Sequence, residues 1–112
     1  MASRPAIDTI DAPVGLTQVD VTSDEGTSLC PLTGQPDQWT VTISYAPRQS
    51  LLESKSLKFY LQAYRQQEIF CENLATAICA DVHTACAPHW TEVRVAKKAR
   101  GGIAIVATAR CQ

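Results

Sequence analysis

Between Cys30 and Asp37 the chain reads Cys-Pro-Leu-Thr-Gly-Gln-Pro-Asp, a thiol and a carboxylate at either end of a Gly/Pro-punctuated stretch. A thiolate is a strong nucleophile when a partner manages its proton, so the pair suits covalent catalysis. The same cysteine also suits a buried loop position, a common fate for this residue type. Cys79, His83, Cys86 and His89 form a second constellation. Cys79 and His83 share a helical face and, with the other two, have the donor types of a zinc site. Their spacing matches no common finger pattern, and separate roles with no bound metal are expected. In Glu-Ser-Lys-Ser-Leu-Lys, residues 53–58, Lys55 and Lys58 share a helical face. They suit either phosphate binding or a plain solvated face, with Glu53 favouring the positive start of the helix. Arg100, beside Gly101 and Gly102, is either a bidentate phosphate donor or part of a polar hairpin. Glu72 stands in an otherwise apolar helical stretch. It sits at the rim of the apolar face, or accepts the adjacent N–H donors of a purine-like base.

The elements that must position these groups follow from the hydrophobic period. Residues 1–13 are polar and broken by Pro5 and Pro13, and read as a flexible arm ahead of one domain over 14–112. Alternation over 16–22 predicts a strand, and 23–37 a long loop rich in Gly, Pro, Ser and Asp. A second strand follows from about Gln38 with Trp39, Val41, Ile43 and Tyr45 on one face. From about Ser50 the period becomes helical, with Leu57, Tyr60, Leu61 and Tyr64 as an apolar stripe. A second helix over 69–82 offers Ile69, Leu74, Ala77, Ile78 and Val82. The short link between the helices predicts an antiparallel pair. Alternation returns over 89–99, Gly101-Gly102 turns the chain, and 103–109 is expected to be a buried strand. The order ββααββ predicts an α+β fold, an antiparallel four-stranded sheet with helices on one face. Its two open edges favour self-association.

Bulk properties exclude more than they assign. The 112 residues carry ten basic and eleven acidic side chains, a net charge of −1. No global field therefore draws the chain to nucleic acid or to a membrane. No stretch approaches a membrane span and no signal-peptide core is found, so a cytoplasmic setting is expected. Five cysteines, an odd count, fit a disulfide framework poorly.

The stretches Ser-Leu-Cys-Pro-Leu-Thr-Gly-Gln-Pro-Asp (28–37), Glu-Ser-Lys-Ser-Leu-Lys with its following aromatic pair, Phe-Cys-Glu-Asn (70–73) and Arg-Gly-Gly-Ile (100–103) occur in this order. Together they resemble the single-module 7-cyano-7-deazaguanine reductases, NADPH-dependent nitrile reductases of queuosine biosynthesis. The likeness runs from about Thr27 to Ile103. It implies the tunnelling fold shared with GTP cyclohydrolase I, with ββααββ modules in a ring-like barrel, by family habit a decamer of two stacked pentamers. Active sites would then lie between subunits. It implies Cys30 as the nucleophile that forms a covalent thioimide, and Asp37 as its acid/base partner. Glu72 would anchor the deazaguanine ring, with Glu53 and Ser54 near the base, and Lys55, Lys58 and Arg100 would serve NADPH. The product would be 7-aminomethyl-7-deazaguanine. One departure is Cys71, where the family usually has histidine. Two further readings stand beside this one. An archaeosine synthase relative adds ammonia, without NADPH, to the same nitrile already in tRNA; tRNA is a partner only there. A non-enzymatic module would merely bind a purine-like ligand.

Overall fold

The computed structural model describes residues 4–112. The sheet is built from β2 (Val19–Leu29), β3 (Pro36–Tyr45), β5 (Thr91–Arg100) and β6 (Ile103–Cys111), in the order β2-β3-β5-β6 and antiparallel throughout. Asp37, Trp39, Val41, Ile43 and Tyr45 of β3 all point inward, the strict alternation of a half-buried strand. Val93 and Val95 of β5 lie beside Ile43 and Val41 across the sheet. Gly101 and Gly102, both at positive φ, close the β5–β6 hairpin, as a two-residue turn of this hand requires.

Two helices complete the fold: α1 (Ser54–Gln62) and α2 (Cys71–Cys86). On α2 the buried residues Cys71, Leu74, Ala75, Ile78, Cys79, Val82 and Cys86 recur at helical spacing and cover β5 and β6. On α1 the buried face is Ser56, Leu57, Tyr60 and Leu61. The core lies between these faces and the sheet, with Ile43, Tyr64, Leu74, Ile78, Val82 and Val95 fully buried.

Several sequence expectations shift. The loop read over 23–37 shrinks to 30–35, because β2 continues to Leu29 through a register shift between Ser23 and Gly26. Gly26 lies against the Trp39 ring, where any Cβ would collide with it. The buried Trp39 indole donates to Ser28 Oγ at 3.1 Å. Of the small residues that suggested a loop, Gly26 and Ser28 accommodate this tryptophan. The helix read from Ser50 begins only at Ser54, since Ser50–Leu52 forms β4, paired with β1 (Thr9–Asp11). Strand β6, expected to be buried, is a sheet edge with Ile103 and Val106 exposed, while Ile105, Ala107, Ala109 and Cys111 turn inward.

Of the arm read over 1–13, residues 1–3 lie outside the described residues; the rest makes defined contacts. Arg4 stacks 4.8 Å from the Tyr64 ring centroid and pairs with Asp81 of α2 at 3.4 Å. The amide of Asp8 donates to Ser56 Oγ at 2.9 Å. The 63–70 link between the helices is also ordered against the sheet: Leu29 N–H donates to Gln67 O, and Ile69 N–H to Leu29 O. This parallel bridge, Leu29 to Glu68, brings the start of α2 to the end of β2, one residue before Cys30.

Candidate active site

Cys30 opens the tight connection between β2 and β3. Its amide donates to Gln35 O at 2.8 Å, its carbonyl accepts from the Gly34 amide at 2.8 Å, and the Gln35 amide donates to Thr33 Oγ1 at 3.2 Å. These closures hold the sulfur against the loop, only 7% exposed. The Thr33 hydroxyl and then the Thr33 and Leu32 amides stabilise the anionic sulfur, with the Arg100 guanidinium adding to them. Together they bring the Cys30 thiol down to about 7, against some opposition from burial. About half of the protein then carries a thiolate near neutral pH.

Asp37 faces the same corner from β3, opposite Ser28 of β2. It is 7% exposed, and its Oδ1 accepts from Arg100 Nε at 2.7 Å with Lys97 Nζ at 4.0 Å. Arg100 Nη1 donates to Gln35 Oε1 at 3.0 Å. The β5–β6 register shifts between Lys97 and Arg100, the kind of bulge that re-aims a side chain. The hydrogen bond to Asp37, followed by that to Cys30, raises the Arg100 pKa further. Beside this group lies a cleft of about 220 Å³, lined by Pro36, Asp37, Gln38, Lys98, Ala99 and Arg100.

The other sequence candidates occupy different ground. Glu53 is the N-cap of α1, its two carboxylate oxygens accepting from the Lys55 amide at 2.7 Å and the Ser56 amide at 2.8 Å. Those amides, Lys55 first, hold its pKa below the ordinary glutamate value. Glu53 and Lys55 line a separate cleft of about 290 Å³ with Pro5, Ala6, Asp8, Ser56 and Phe59. Lys58 faces a third, with Ser23, Glu25, Gly26 and Arg65 among its walls. Lys55, Lys58 and Ser54 are all exposed. Glu72 is exposed in the first turn of α2, brought toward the Cys30 end of β2 by the Leu29–Glu68 bridge.

The structure thus gathers Cys30, Asp37 and Arg100, leaves Glu53, Lys55 and Lys58 on other clefts, and leaves Ser54 exposed at the start of α1. Arg100, read from the sequence as a cofactor-side cation, is engaged with Asp37 and Gln35. Thr33, Gln35 and Lys97 belong to the site and were not singled out by sequence reasoning. Thr33 and Gln35 lie inside the quoted loop, so the loop was the signal; Lys97 opens the Lys-Lys-Ala-Arg-Gly-Gly turn, of which only Arg100 was singled out.

The Cys/His constellation is dispersed. Cys79 Sγ donates to Thr91 O at 3.5 Å, Cys86 Sγ to Val82 O at 3.4 Å, and His83 Nδ1 bonds Thr91 Oγ1 at 2.9 Å. Among the described residues no group of three metal-ligating side chains is gathered.

A family model described as QueF-like protein matches residues 36–112, more than half of the chain. The chain belongs to the QueF family. Asp37, Glu53, Ser54, Lys55, Lys58, Glu72 and Arg100 fall within the matched span, and Cys30 lies just ahead of it. The QueF-family chain is 46% identical over 91 residues to the NADPH-dependent 7-cyano-7-deazaguanine reductase of Syntrophus aciditrophicus, covering 81% of this chain and 65% of that protein. It is 46% identical over 98 residues to the protein of the same name from Frankia casuarinae, covering 86% and 78% respectively. A solved structure titled archaeosine synthase QueF-Like, in the apo form, superposes with a TM-score of 0.79 at 28% identity, covering 84% of this chain and 92% of that one. The four-stranded antiparallel sheet and two helices read from the sequence are therefore the tunnelling fold of this family. No helix among the described residues is long and apolar enough to cross a membrane.

Proposed function

We propose that this chain reduces the nitrile of 7-cyano-7-deazaguanine to the primary amine of 7-aminomethyl-7-deazaguanine, through a covalent thioimide on Cys30, in queuosine biosynthesis. The observation that carries this reading is the corner in which the Arg100 guanidinium bonds both Asp37 and Cys30, whose thiol is brought down to about 7. The names of relatives 46% identical to the chain point to the same reaction. Addition of the Cys30 thiol across the nitrile forms the C–S bond and leaves the thiol proton on nitrogen. Asp37, which shares the Arg100 guanidinium with the sulfur, is the group proposed to relay that proton. Cys30 leaves again as the thiolate when the thioimide is reduced to the imine, and the imine is then reduced to the amine. NADPH, when bound, supplies the hydrides: two equivalents, with two protons, take a nitrile to a primary amine. Lys55 and Lys58, exposed ammonium groups on α1, fit the phosphates of such a nucleotide; Arg100 in the free protein is held elsewhere.

Glu72, at the α2 start near the Cys30 loop, is the carboxylate we assign to the deazaguanine ring, with Glu53 and Ser54 completing the base site. Because the Glu53 cleft is separate from the Cys30 cleft within one chain, a neighbouring subunit would bring the two together across exposed sheet edges. A stacked pair of pentameric rings is the arrangement proposed, and native mass spectrometry measures it directly. The proposed setting is the cytoplasm.

The test is to incubate the protein with 7-cyano-7-deazaguanine and NADPH, following nucleotide oxidation and the mass of the base. Two NADPH consumed per amine formed is the expected result; no consumption sinks the reductase reading. The structural neighbour favours a second reading, ammonia adding to the nitrile within tRNA without NADPH. Amidine formation on modified tRNA with ammonium, and no NADPH oxidation, would select it. A pure binding module predicts no covalent adduct, so a Cys30-dependent thioimide absorbance excludes it.

A further inference from the structure

We infer that Arg100 is a positioning residue for Cys30 and Asp37, one guanidinium that ties the Cys30 loop, through Gln35, to the Asp37 carboxylate. The inference rests on the proposed function only in taking Cys30 and Asp37 as the reacting pair. It goes beyond it by giving Arg100 a task inside the protein in place of cofactor recognition.

The hydrogen bonds run in an unbroken chain from Asp37 through Arg100 and Gln35 to Cys30. Arg100 donates from Nε to Asp37 Oδ1 at 2.7 Å and from Nη1 to Gln35 Oε1 at 3.0 Å. Gln35 in turn accepts the Cys30 amide at 2.8 Å through its own carbonyl. Two donors on a rigid planar fork fix the loop and strand relative to each other, which a lysine ammonium on its flexible stem does not reproduce. The backbone is shaped for this: the β5–β6 register shift falls between Lys97 and Arg100, next to the Gly101-Gly102 turn.

Charge makes the same case. Asp37 is nearly buried, and a carboxylate left unpaired there would oppose a thiolate on Cys30. Arg100 at 2.7 Å and Lys97 at 4.0 Å offset it. The remaining charged groups around this corner are exposed: Lys98 on the cleft wall, Glu68 on the segment bridged to Leu29, and Glu72 in the first turn of α2. Arg100 therefore acts on the sulfur by its own hydrogen bond as well as through Asp37 and the loop, with the Thr33 hydroxyl as the sulfur's principal donor.

The test uses Arg100→Gln and Arg100→Lys, with folding checked by circular dichroism. Iodoacetamide labelling of Cys30 is read by peptide mass mapping between about pH 5.5 and about 9, with neither nitrile nor nucleotide present. Arg100→Gln is expected to move the labelling midpoint upward and slow labelling at pH 7 about fivefold, as a rise of about one pKa unit from about 7 gives at that pH. Arg100→Lys, which restores charge without the fork, recovers part of that rate. In reductase assays the Arg100→Gln defect should fall on kcat more than on the KM for NADPH. Labelling profiles that coincide for wild type and Arg100→Gln, with a raised KM at unchanged kcat, would overturn the inference and return Arg100 to the cofactor. Labelling needs no turnover, so failure of the reductase reading and failure of this one are told apart.

Discussion

Cys30 and the cysteines of α2 are one side chain in opposite surroundings. At Cys30 the sulfur meets a hydroxyl, two backbone amides and a guanidinium, and its thiol comes down to about 7. On α2 the sulfurs of Cys71, Cys79 and Cys86 lie among apolar side chains and carbonyl oxygens, with backbone amides also in reach. Burial pushes the Cys86 thiol up to about 11. Burial, then the charge of Glu72, raises Cys71; burial, then the neighbouring Cys111 thiol, raises Cys79. Carbonyl acceptors such as Val95 O for Cys71 and Val82 O for Cys86 favour the protonated form. All are nearly buried, Cys30 at 7% exposed and Cys86 at 3%, so exposure does not separate them. The balance of contacts does: at Cys30 a hydroxyl, two amides and a guanidinium outweigh burial, whereas on α2 burial outweighs the backbone amides that reach Cys71, Cys79 and Cys86.

The sharpest way to break this comparison is to remove one sulfur from each class. Cys30→Ala should abolish thioimide absorbance and nitrile reduction to background. Cys86→Ala should leave both intact and cost about 1 kcal/mol of stability, the usual scale for a small core deletion. Loss of activity in both variants with both folded would mean that the α2 sulfurs are more than packing.

The pH dependence comes next in size. Labelling of Cys30 tracks its thiolate, so it should fall about tenfold for each pH unit below about 7 and level off above. At the same pH, Cys86 at about 11 carries on the order of a ten-thousandth of its thiolate. Mass mapping after brief alkylation of the native protein at pH 7 should therefore find the label on Cys30 before Cys71, Cys79 or Cys86. Equal labelling would erase the distinction drawn here.

How much of this was legible beforehand divides along the same line. The α2 face was readable because Leu74, Ile78 and Val82 repeat at helical spacing, and the β3 face because Trp39, Val41, Ile43 and Tyr45 alternate. Short-range periodicity fixes both. The Cys30 corner depends on residues far apart in the chain: Arg100 meets Asp37 across 63 positions, and no local pattern encodes that meeting. Nor did the composition of 23–29 betray a strand, since its strand character rests on Gly26 lying under a tryptophan supplied by β3. The arm was unreadable for a similar reason. Its anchors, Tyr64 and Asp81, lie on the far side of the sequence.

Gly26 offers a test that joins strand to site. A methyl group there collides with the Trp39 ring, a rigid neighbour with no easy retreat. Gly26→Ala should cost about 2–3 kcal/mol, as overpacking does, read as a fall in the denaturant midpoint. It should also disturb Cys30 labelling, because Trp39 holds Ser28, two residues ahead of Cys30, through its indole N–H. Gly26→Ala with wild-type stability would mean that Trp39 swings aside freely.

The smallest expected effect lies farthest from the sulfur. Arg4 stacks on Tyr64, reaches the Tyr60 ring at 5.9 Å and pairs with Asp81, tying the arm to both helices. The pair is partly solvated, so its Coulomb attraction is modest, and the stacking contributes on the order of 1 kcal/mol. Arg4→Ala should lower Tm by a few degrees for a domain of this size, about 1 kcal/mol. The rate and pH profile of Cys30 labelling should stay unchanged, because Arg4 reaches that end of the sheet through the Gln67 side chain, whereas Leu29 beside Cys30 is held by the Gln67 backbone carbonyl. A shifted labelling profile would show that the arm and the Cys30 corner are coupled through the helices, and that the two regions contrasted here are not independent.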